Sequence, residues 1–562
     1  MLAEDDAYFI DKDLQRNVSL RPADDKVLAT FAPADQDAVR KLSGWSFDDD
    51  AFQATAPRGY AVGVLAAASL EQVPAGPPPP VKAWVQVYED VADGRLHYVR
   101  PDELEVMFRD GVPTEVAEGL LTAQGASPID TPIIKGYYRA ATQPRRSFAT
   151  IRALTELPEV LFAAPVEMAA DERIRSAPAA PPSNGTTATP AGRKEAPLND
   201  PDPRIAAALR EPLFGELWAL RNVSQLIPSD NDLVPGPPRG QKGVDVDAIR
   251  AWRVSMGDPR VVVAVVDQRI DVHHPDLAPR VLPGEFPDFI DPADIQGGSA
   301  TAHATGVAGV ALAAVNGKGG VGLAPECSLL PLAVSLTGIC KYRADAIYYV
   351  AQRAAADPTH RFVLNLSWEV PVDTIGVRLA VRQAIEAGVV VVAGVREDHD
   401  GGPPIDLDAT LPYYPCSYPG VLAVTSTDQA DVVAPGAGIG SRVDVAAPGV
   451  AIKTASVPGW ELENGTSFAA PFVSALAALL LSVDRTLSVD AVRHLIKSAC
   501  KNIDQVNPTL LGKFGSGRIS AGQALTQLAS LRGTEAVRPP VLAPPILTPA
   551  DSHTGNGLPS SP

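Results

Sequence analysis

The chain has 562 residues, of which 46% are hydrophobic and 6% aromatic, and its formal net charge is −18 at pH 7. This length supports a substantial core divided among two or three domains, and the negative charge argues against nucleic acid or an anionic membrane as a non-specific partner. The acidic first residues do not resemble a signal peptide, and no segment has the roughly 18 uninterrupted apolar residues of a membrane span. We therefore expect a globular cytoplasmic protein.

Short strands and turns dominate the first third of the chain. Strand patterns in 24–31 and 84–87 fall within a β-rich region, 1–94, to which the sequence assigns no role. From residue 95 onwards strands and helices alternate, which predicts a small α+β domain over 95–175. Its predicted elements are strands at 96–99, 104–108, 135–140 and 160–165 and helices at 114–124 and 148–157.

A change of composition separates this domain from the rest. Residues 176–197 are rich in Pro, Ala, Gly and Thr, which predicts a flexible linker over 176–211. Valine-rich runs then alternate with helices of small residues between 212 and 531, which predicts a parallel α/β sheet with helices on both faces. The predicted core strands are 261–266, 362–366, 389–393 and 421–425. Repeated prolines and serines after 532 predict a disordered tail, 532–562.

Three residues in this region have the types needed for nucleophilic catalysis. Asp267 ends an apolar β-branched run, His303 begins a helix of small residues, and Ser467 lies where a loop containing Asn464-Gly465-Thr466 enters a long apolar helix. A serine hydroxyl is a poor nucleophile near neutral pH, so it needs a general base and donors for an oxyanion. Singly, each residue could equally be a capping or helix-start residue; together they predict a catalytic triad.

In this chain order the sequence resembles the subtilases, the subtilisin-like serine proteases, over residues 212–531. Further matching segments are His274–Leu277, Gly320–Pro325 and Asp444–Gly449. The resemblance implies that Ser467 attacks the peptide carbonyl, that His303 is the general base and that Asp267 orients the imidazole. It also implies a subtilisin-like fold, a protein or peptide substrate and an acyl-enzyme intermediate.

The resemblance extends to the domain at 95–175, whose alternating helices and short strands are similar to the subtilase propeptide. In the family this small domain assists folding and occupies the substrate groove until it is removed. The N-terminal domain is therefore a possible inhibitor of its own chain. A binding domain that never inhibits is the alternative.

The clearest departure from the family concerns the oxyanion hole. Subtilases usually place an asparagine there, after a run of valines, but no asparagine follows Val389–Val392 here. Counting from the valines puts Glu397 at this position, with Asp398 beside it, whereas anchoring on Ala393-Gly394 puts Val395 there. Loss of one donor costs about 100- to 1000-fold in turnover. A slow intracellular endopeptidase and a pseudoprotease or peptide-binding scaffold are therefore both open.

The segment Ser367-Trp368-Glu369 resembles the family's substrate-pairing segment, which usually ends in glycine. Glu369 suggests a preference for a basic residue before the scissile bond, with Trp368 offering apolar surface. The alternative is a tryptophan in the core and a glutamate in water. Gln268-Arg269 also departs from the family, because Arg269 could compete for the hydrogen bonds of Asp267.

The chemistry requires no cofactor, and no metal site is predicted. No loop of alternating acids is evident, so structural calcium, which is frequent in the family, stays open. The four cysteines are widely spaced without a metal-binding pattern, which predicts free thiols in a reducing compartment. They are Cys327, Cys340, Cys416 and Cys500.

Overall fold

The computed structural model describes most of the two predicted domains. The described ranges are 8–11, 16–31, 36–41, 45–47, 60–65, 81–93, 95–143, 146–170, 200–227, 239–290, 300–398 and 402–535. The predicted linker up to residue 199 and the predicted tail from residue 536 lie outside them.

The strands and helices follow in chain order. The strands are β1 (Tyr8–Asp11), β2 (Arg16–Phe31), β3 (Trp45–Phe47), β4 (Tyr60–Leu65), β5 (Val81–Asp90), β6 (Leu96–Phe108), β7 (Ala126–Pro128), β8 (Tyr137–Thr142), β9 (Val160–Ala170), β10 (Val261–Asp267), β11 (Ser328–Ala333), β12 (Thr337–Ile339), β13 (Arg361–Leu366), β14 (Val390–Gly394), β15 (Ile405–Asp406), β16 (Leu422–Thr427), β17 (Gly438–Ile439), β18 (Val445–Pro448), β19 (Ile452–Ser456) and β20 (Gly459–Glu463). The α-helices are α1 (Gln36–Arg40), α2 (Thr114–Ala123), α3 (Ser147–Thr155), α4 (Pro203–Ala208), α5 (Ala248–Trp252), α6 (Ala302–Leu312), α7 (Cys340–Ala356), α8 (Ile375–Glu386), α9 (Thr466–Val483), α10 (Val489–Ser498) and α11 (Ala521–Glu535).

The predicted catalytic domain, residues 212–531, is called the catalytic part below. It is built on a sheet of six parallel strands in the order β11-β10-β13-β14-β16-β18. Every residue of β10 is buried, as expected for a parallel strand that is covered on both faces. Its even-numbered apolar residues join a core that includes α7 and α8. Its odd-numbered valines join a second core that includes α6 and α9. The predicted parallel sheet with helices on both faces is thus confirmed.

Helix α9 runs through the second core. Its residues from Thr466 to Leu481 are all buried. Of the described helices, this one is long and apolar enough to cross a membrane. However, 89% of it is buried inside the protein. It packs against β13, β14 and β16, so its apolar composition is explained by its position in the core.

A second sheet, of ten strands, is built mainly from the N-terminal part of the chain. Its main order is β12-β9-β6-β5-β2-β4-β3, and β8 also pairs with β6. The pairings are antiparallel. Helix α3 packs on this sheet and buries Phe148, Ile151 and Leu154. The predicted α+β region is confirmed.

Two predicted boundaries fall within continuous secondary structure or packing. The division between residues 94 and 95 falls inside a hairpin, because β5 and β6 pair across it and β5 continues the sheet to β2. Alternation identifies strands but does not identify their neighbours. In the predicted linker, 176–211, α4 buries Ile205 and Ala208 in the second core. The catalytic part therefore begins before residue 212.

The N-terminal domain and the catalytic part meet along a strand edge. The catalytic strand β12 pairs antiparallel with β9, placing Ile339 opposite Met168 and Thr337 opposite Ala170. Helices α7 and α8 also share the first core with the N-terminal sheet. The two parts are therefore joined by backbone pairing and by apolar packing.

Buried charges accompany this apolar contact. The Tyr137 hydroxyl donates to Glu105 Oε2 at 2.8 Å, and the Tyr137 ring lies 3.9 Å from Lys341 Nζ. Lys341 Nζ in turn donates to Asp345 Oδ2 at 2.7 Å. Burial raises the pKa of Glu105 to about 8, opposed by the Tyr137 hydrogen bond and the Lys341 charge. Glu105 is therefore more readily protonated than an exposed glutamate.

Candidate active site

The acid of the predicted triad lies at the carboxyl end of β10. Asp267 is fully buried, and its Oδ1 accepts the backbone N–H of Gln268 at 2.7 Å. The same oxygen lies 3.1 Å from Nδ1 of His303. Arg269 instead pairs with Asp288, at 2.6 Å. Asp267 is therefore a fixed acceptor for the imidazole.

The histidine begins helix α6. Thr301 caps this helix through a hydrogen bond from the backbone N–H of Ala304 to its side chain, at 3.2 Å. The His303 side chain is 30% exposed, and its ring meets that of Phe468 edge-on with centroids 5.5 Å apart. Because Phe468 follows Ser467 directly, this contact brings the imidazole to the first turn of α9.

Ser467 lies in that first turn and is 5% exposed. Gly465 precedes the helix with φ of 137°, a conformation that favours glycine. Pro471 has no N–H to donate to the carbonyl of Ser467, four residues earlier. Ser367 Oγ donates to this carbonyl instead, at 2.8 Å. The predicted substrate-segment serine thus supports the nucleophile turn.

The other two residues of that segment lie inside the protein. Trp368 is fully buried, and its indole N–H donates to the carbonyl of Val266 at 2.9 Å. Arg343 lies over its ring at 5.1 Å. Glu369 is 1% exposed. In this arrangement neither side chain offers the surface expected from the sequence, and the preference for a basic residue before the scissile bond stays a prediction.

Of the alternatives for the oxyanion position, Glu397 is the side chain that reaches the nucleophile turn. Its Oε2 accepts the backbone N–H of Thr466 at 2.5 Å. Val395 is buried in the first core and contributes only its carbonyl, which accepts from Thr466 Oγ1 at 2.8 Å. Asp398 donates its backbone N–H to the carbonyl of Gly436. A carboxyl group therefore lies beside the residue that precedes Ser467.

Sequence reasoning did not single out Glu463, an acidic residue at the end of β20. Burial raises its pKa to about 7, while the charge of His303 acts to lower it and Glu461 acts to raise it. The only sequence signal was the alternation Glu461-Leu462-Glu463 immediately before the Asn464–Pro471 segment.

Metal ligands do not cluster in the described residues, where no group of three His, Cys, Asp or Glu side chains could hold a metal ion. Structural calcium stays open.

Comparison with known proteins identifies the family. The subtilase family model matches residues 258–517. Thermitase of Thermoactinomyces vulgaris is 34% identical over 287 residues, which are 50% of this chain and 93% of thermitase. A thermophilic serine proteinase of Bacillus sp. strain AK1 is 33% identical, over 49% of this chain and 64% of that protein.

Subtilisin E of Bacillus subtilis is also 33% identical, over 47% of this chain and 65% of its own length. The chain thus spans about two thirds of the Bacillus sp. proteinase and of subtilisin E, and nearly all of thermitase. The crystal structure of fervidolysin from Fervidobacterium pennivorans matches 78% of this chain and 62% of its own, with a TM-score of 0.53 and 21% identity, which supports the fold alone. This chain belongs to the subtilase family of serine proteases.

Proposed function

We propose that this chain is a serine endopeptidase that uses Ser467, His303 and Asp267. Its main support is the 3.1 Å approach of His303 to the buried Asp267 at the first turn of the Ser467 helix. Ser467 Oγ attacks the carbonyl carbon of the scissile bond while His303 accepts its proton. Asp267 orients the imidazole and stabilises its charged form.

The later steps reverse this proton transfer. His303 returns the proton to the leaving amine as the carbon–nitrogen bond breaks, which leaves Ser467 acylated. Water then attacks the ester, again with His303 as base, and the acid product leaves with the serine restored. These residues carry out all steps of the proposed reaction without a cofactor.

Glu397 favours a second candidate function, a peptide-binding pseudoprotease. Its carboxyl group occupies the neighbourhood of Thr466 and Ser467, where negative charge develops on the substrate oxygen. An ionised carboxylate repels that charge, whereas a protonated one donates a hydrogen bond to it. The proposed enzyme is therefore slow when Glu397 is ionised, and the pseudoprotease is its limiting case.

We also propose that the N-terminal domain restrains the catalytic part. Extended peptides bind exposed strand edges through backbone hydrogen bonds, and β9 takes up the edge of β12 in this manner. A substrate that pairs with β12 must therefore displace β9.

All four cysteines are free thiols, which supports the proposal of a reducing, cytoplasmic location.

The test is covalent labelling of the full chain with a fluorophosphonate probe, followed by intact mass and peptide mapping. We expect the label on Ser467, none in Ser467→Ala, and normal labelling in Ser482→Ala, a matched change in the same helix. Labelling should accelerate after an added protease removes the N-terminal domain. If wild type stays unlabelled even then, the endopeptidase proposal fails and the pseudoprotease is favoured.

A further inference from the structure

The hairpin of β19 and β20 lies directly before the helix that carries Ser467. Its turn is anchored by two contacts to the segment 274–276: Trp460 Nε1 donates to Asp276 Oδ2 at 2.8 Å, and His274 Nε2 lies 2.9 Å from the carbonyl oxygen of Gly459. These contacts hold the hairpin in place against the catalytic part. Side chains on its inner face therefore have fixed neighbours.

That inner face is turned towards helix α6. Thr454 Oγ1 donates to the carbonyl of Gly306 at 2.7 Å. Glu461 is directly opposite Thr454 in the hairpin and so shares its face, as does Glu463 two residues further on. Gly306 follows His303 by one helical turn and lies on the same side of α6. Glu463, which lies opposite the buried Ile452, is therefore on the face of the hairpin that meets the His303 side of the helix, whereas Glu461 lies at the exposed margin of that face.

The two carboxyl groups also influence one another. Glu461, which is exposed, acts to raise the pKa of the half-buried Glu463, and Ser456 Oγ donates to Glu461. Two ionised carboxylates repel, so each favours the protonated form of the other. Burial, followed by the opposing effects of His303 and Glu461, sets the pKa of Glu463 at about 7.

Other charged groups near the hairpin are directed elsewhere. Lys453 is opposite Leu462, on the outer face, and it pairs with Glu216 at 3.7 Å. Glu397 lies beyond the carboxyl end of β20, where it binds the backbone of Thr466. His303 from α6 and Glu461 from β20 are thus the charged groups that act on Glu463.

We propose that Glu463 is a positioning residue that acts through His303, as a second carboxylate beside the imidazole. The inference rests on the proposed function, in which His303 becomes positively charged when it accepts the proton of Ser467. An ionised Glu463 stabilises that charge across the hairpin–helix contact. When Glu463 is protonated, the stabilisation is lost.

The test compares the wild-type chain with Glu463→Gln, which keeps the size and removes the charge. The rate of fluorophosphonate labelling at Ser467 and kcat/KM on a peptide substrate are measured from pH 5 to pH 9. A neighbouring carboxylate raises the pKa of an imidazole, so the rise in rate should shift to lower pH by about 0.3 to 1 unit in the variant. Above pH 8 the variant should be about 2- to 10-fold slower.

Two further variants separate this role from simple damage to the fold. Glu463→Asp keeps the charge and should restore part of the pH profile. Glu216→Gln removes the carboxylate that pairs with Lys453 on the outer face of the hairpin and should leave the profile unchanged. Superimposable profiles for wild type and Glu463→Gln would overturn the inference.

A readout that needs no turnover keeps this inference distinct from the proposed function. The imidazole of His303 is titrated by NMR in wild type and in Glu463→Gln, with its signal identified from a His303→Gln spectrum. We expect a lower imidazole pKa in the Glu463 variant. An unlabelled, inactive wild type with this shift would refute the endopeptidase and keep the electrostatic coupling, whereas equal titrations would refute the coupling itself.

Discussion

Replacing Glu105 by glutamine should remove a pH-dependent loss of stability from the interface between the two domains. Burial raises the pKa of Glu105 from 4.5 to about 8, so the folded chain holds a proton that the unfolded chain releases above pH 4.5. Its stabilising contribution is complete below pH 4.5 and is lost as the pH rises through 8. The slope is about −1.4 kcal/mol per pH unit between the two pKa values and falls to about half of that at pH 8, so the loss between pH 6 and pH 8 is about 2 kcal/mol.

The assay is urea unfolding of the full chain at pH 6, 7 and 8, followed by tryptophan fluorescence. The difference in unfolding free energy between wild type and Glu105→Gln cancels the other titrating groups. It should move by about 2 kcal/mol in favour of the variant across this range. Glutamine keeps an oxygen that can accept the Tyr137 hydroxyl, so the interface retains that hydrogen bond.

Glu103, two residues earlier on the same strand, provides the matched control. Burial opposes its ionisation, but hydrogen bonds and charge from Arg139 and Arg100 hold its pKa below the usual value. Its contribution is therefore present above the usual pKa and lost only in acid. Glu103→Gln should be destabilising by the same amount at pH 6 and pH 8. A pH-independent difference for Glu105→Gln as well would refute the reasoning.

Three other changes test the site and the interface. Glu397→Gln should raise kcat by about 10- to 100-fold, because the amide adds a donor where the carboxylate repels; an unchanged kcat would exclude such repulsion. Gly376→Ala should destabilise the chain by about 1 to 3 kcal/mol in thermal unfolding, since its Cβ would lie 2.3 Å from the Tyr137 hydroxyl. It should also speed substrate hydrolysis by loosening the N-terminal domain, and equal stability would contradict the close contact. Asp267→Asn should lower kcat by about 10⁴-fold with little change in KM, because His303 loses its fixed acceptor; a loss below tenfold would remove Asp267 from the triad.

The sequence predicted the parts of the site that are attached to strongly patterned segments. Asp267 ends an apolar strand, His303 begins a helix of small residues, and Ser467 precedes an apolar helix, so their relative placement follows from the sheet. The burial of Trp368 was less accessible to prediction. An aromatic residue after a strand can point to the core or to a groove, and the choice depends on partners such as Arg343, 25 residues earlier in the chain.

The pairing of β9 with β12 was also beyond sequence reasoning. Strand β12 has three residues, too few to show any periodicity, and its partner lies in another domain. Glu463 was missed for a similar reason, because its importance depends on the face of the hairpin that meets α6. Contacts between distant short segments are set by tertiary packing, which local patterns do not encode.

The shared ladder between β9 and β12 has a consequence for the separated domains. Each strand covers the outer edge of the other, so their separation exposes two rows of unpaired backbone N–H and C=O groups. Such edges recruit other strands, including those of identical chains. The catalytic part released from its N-terminal domain should therefore self-associate as its concentration rises, unless a peptide occupies β12. The solubility of the released catalytic part thus measures the fraction of molecules in which a peptide occupies the edge of β12.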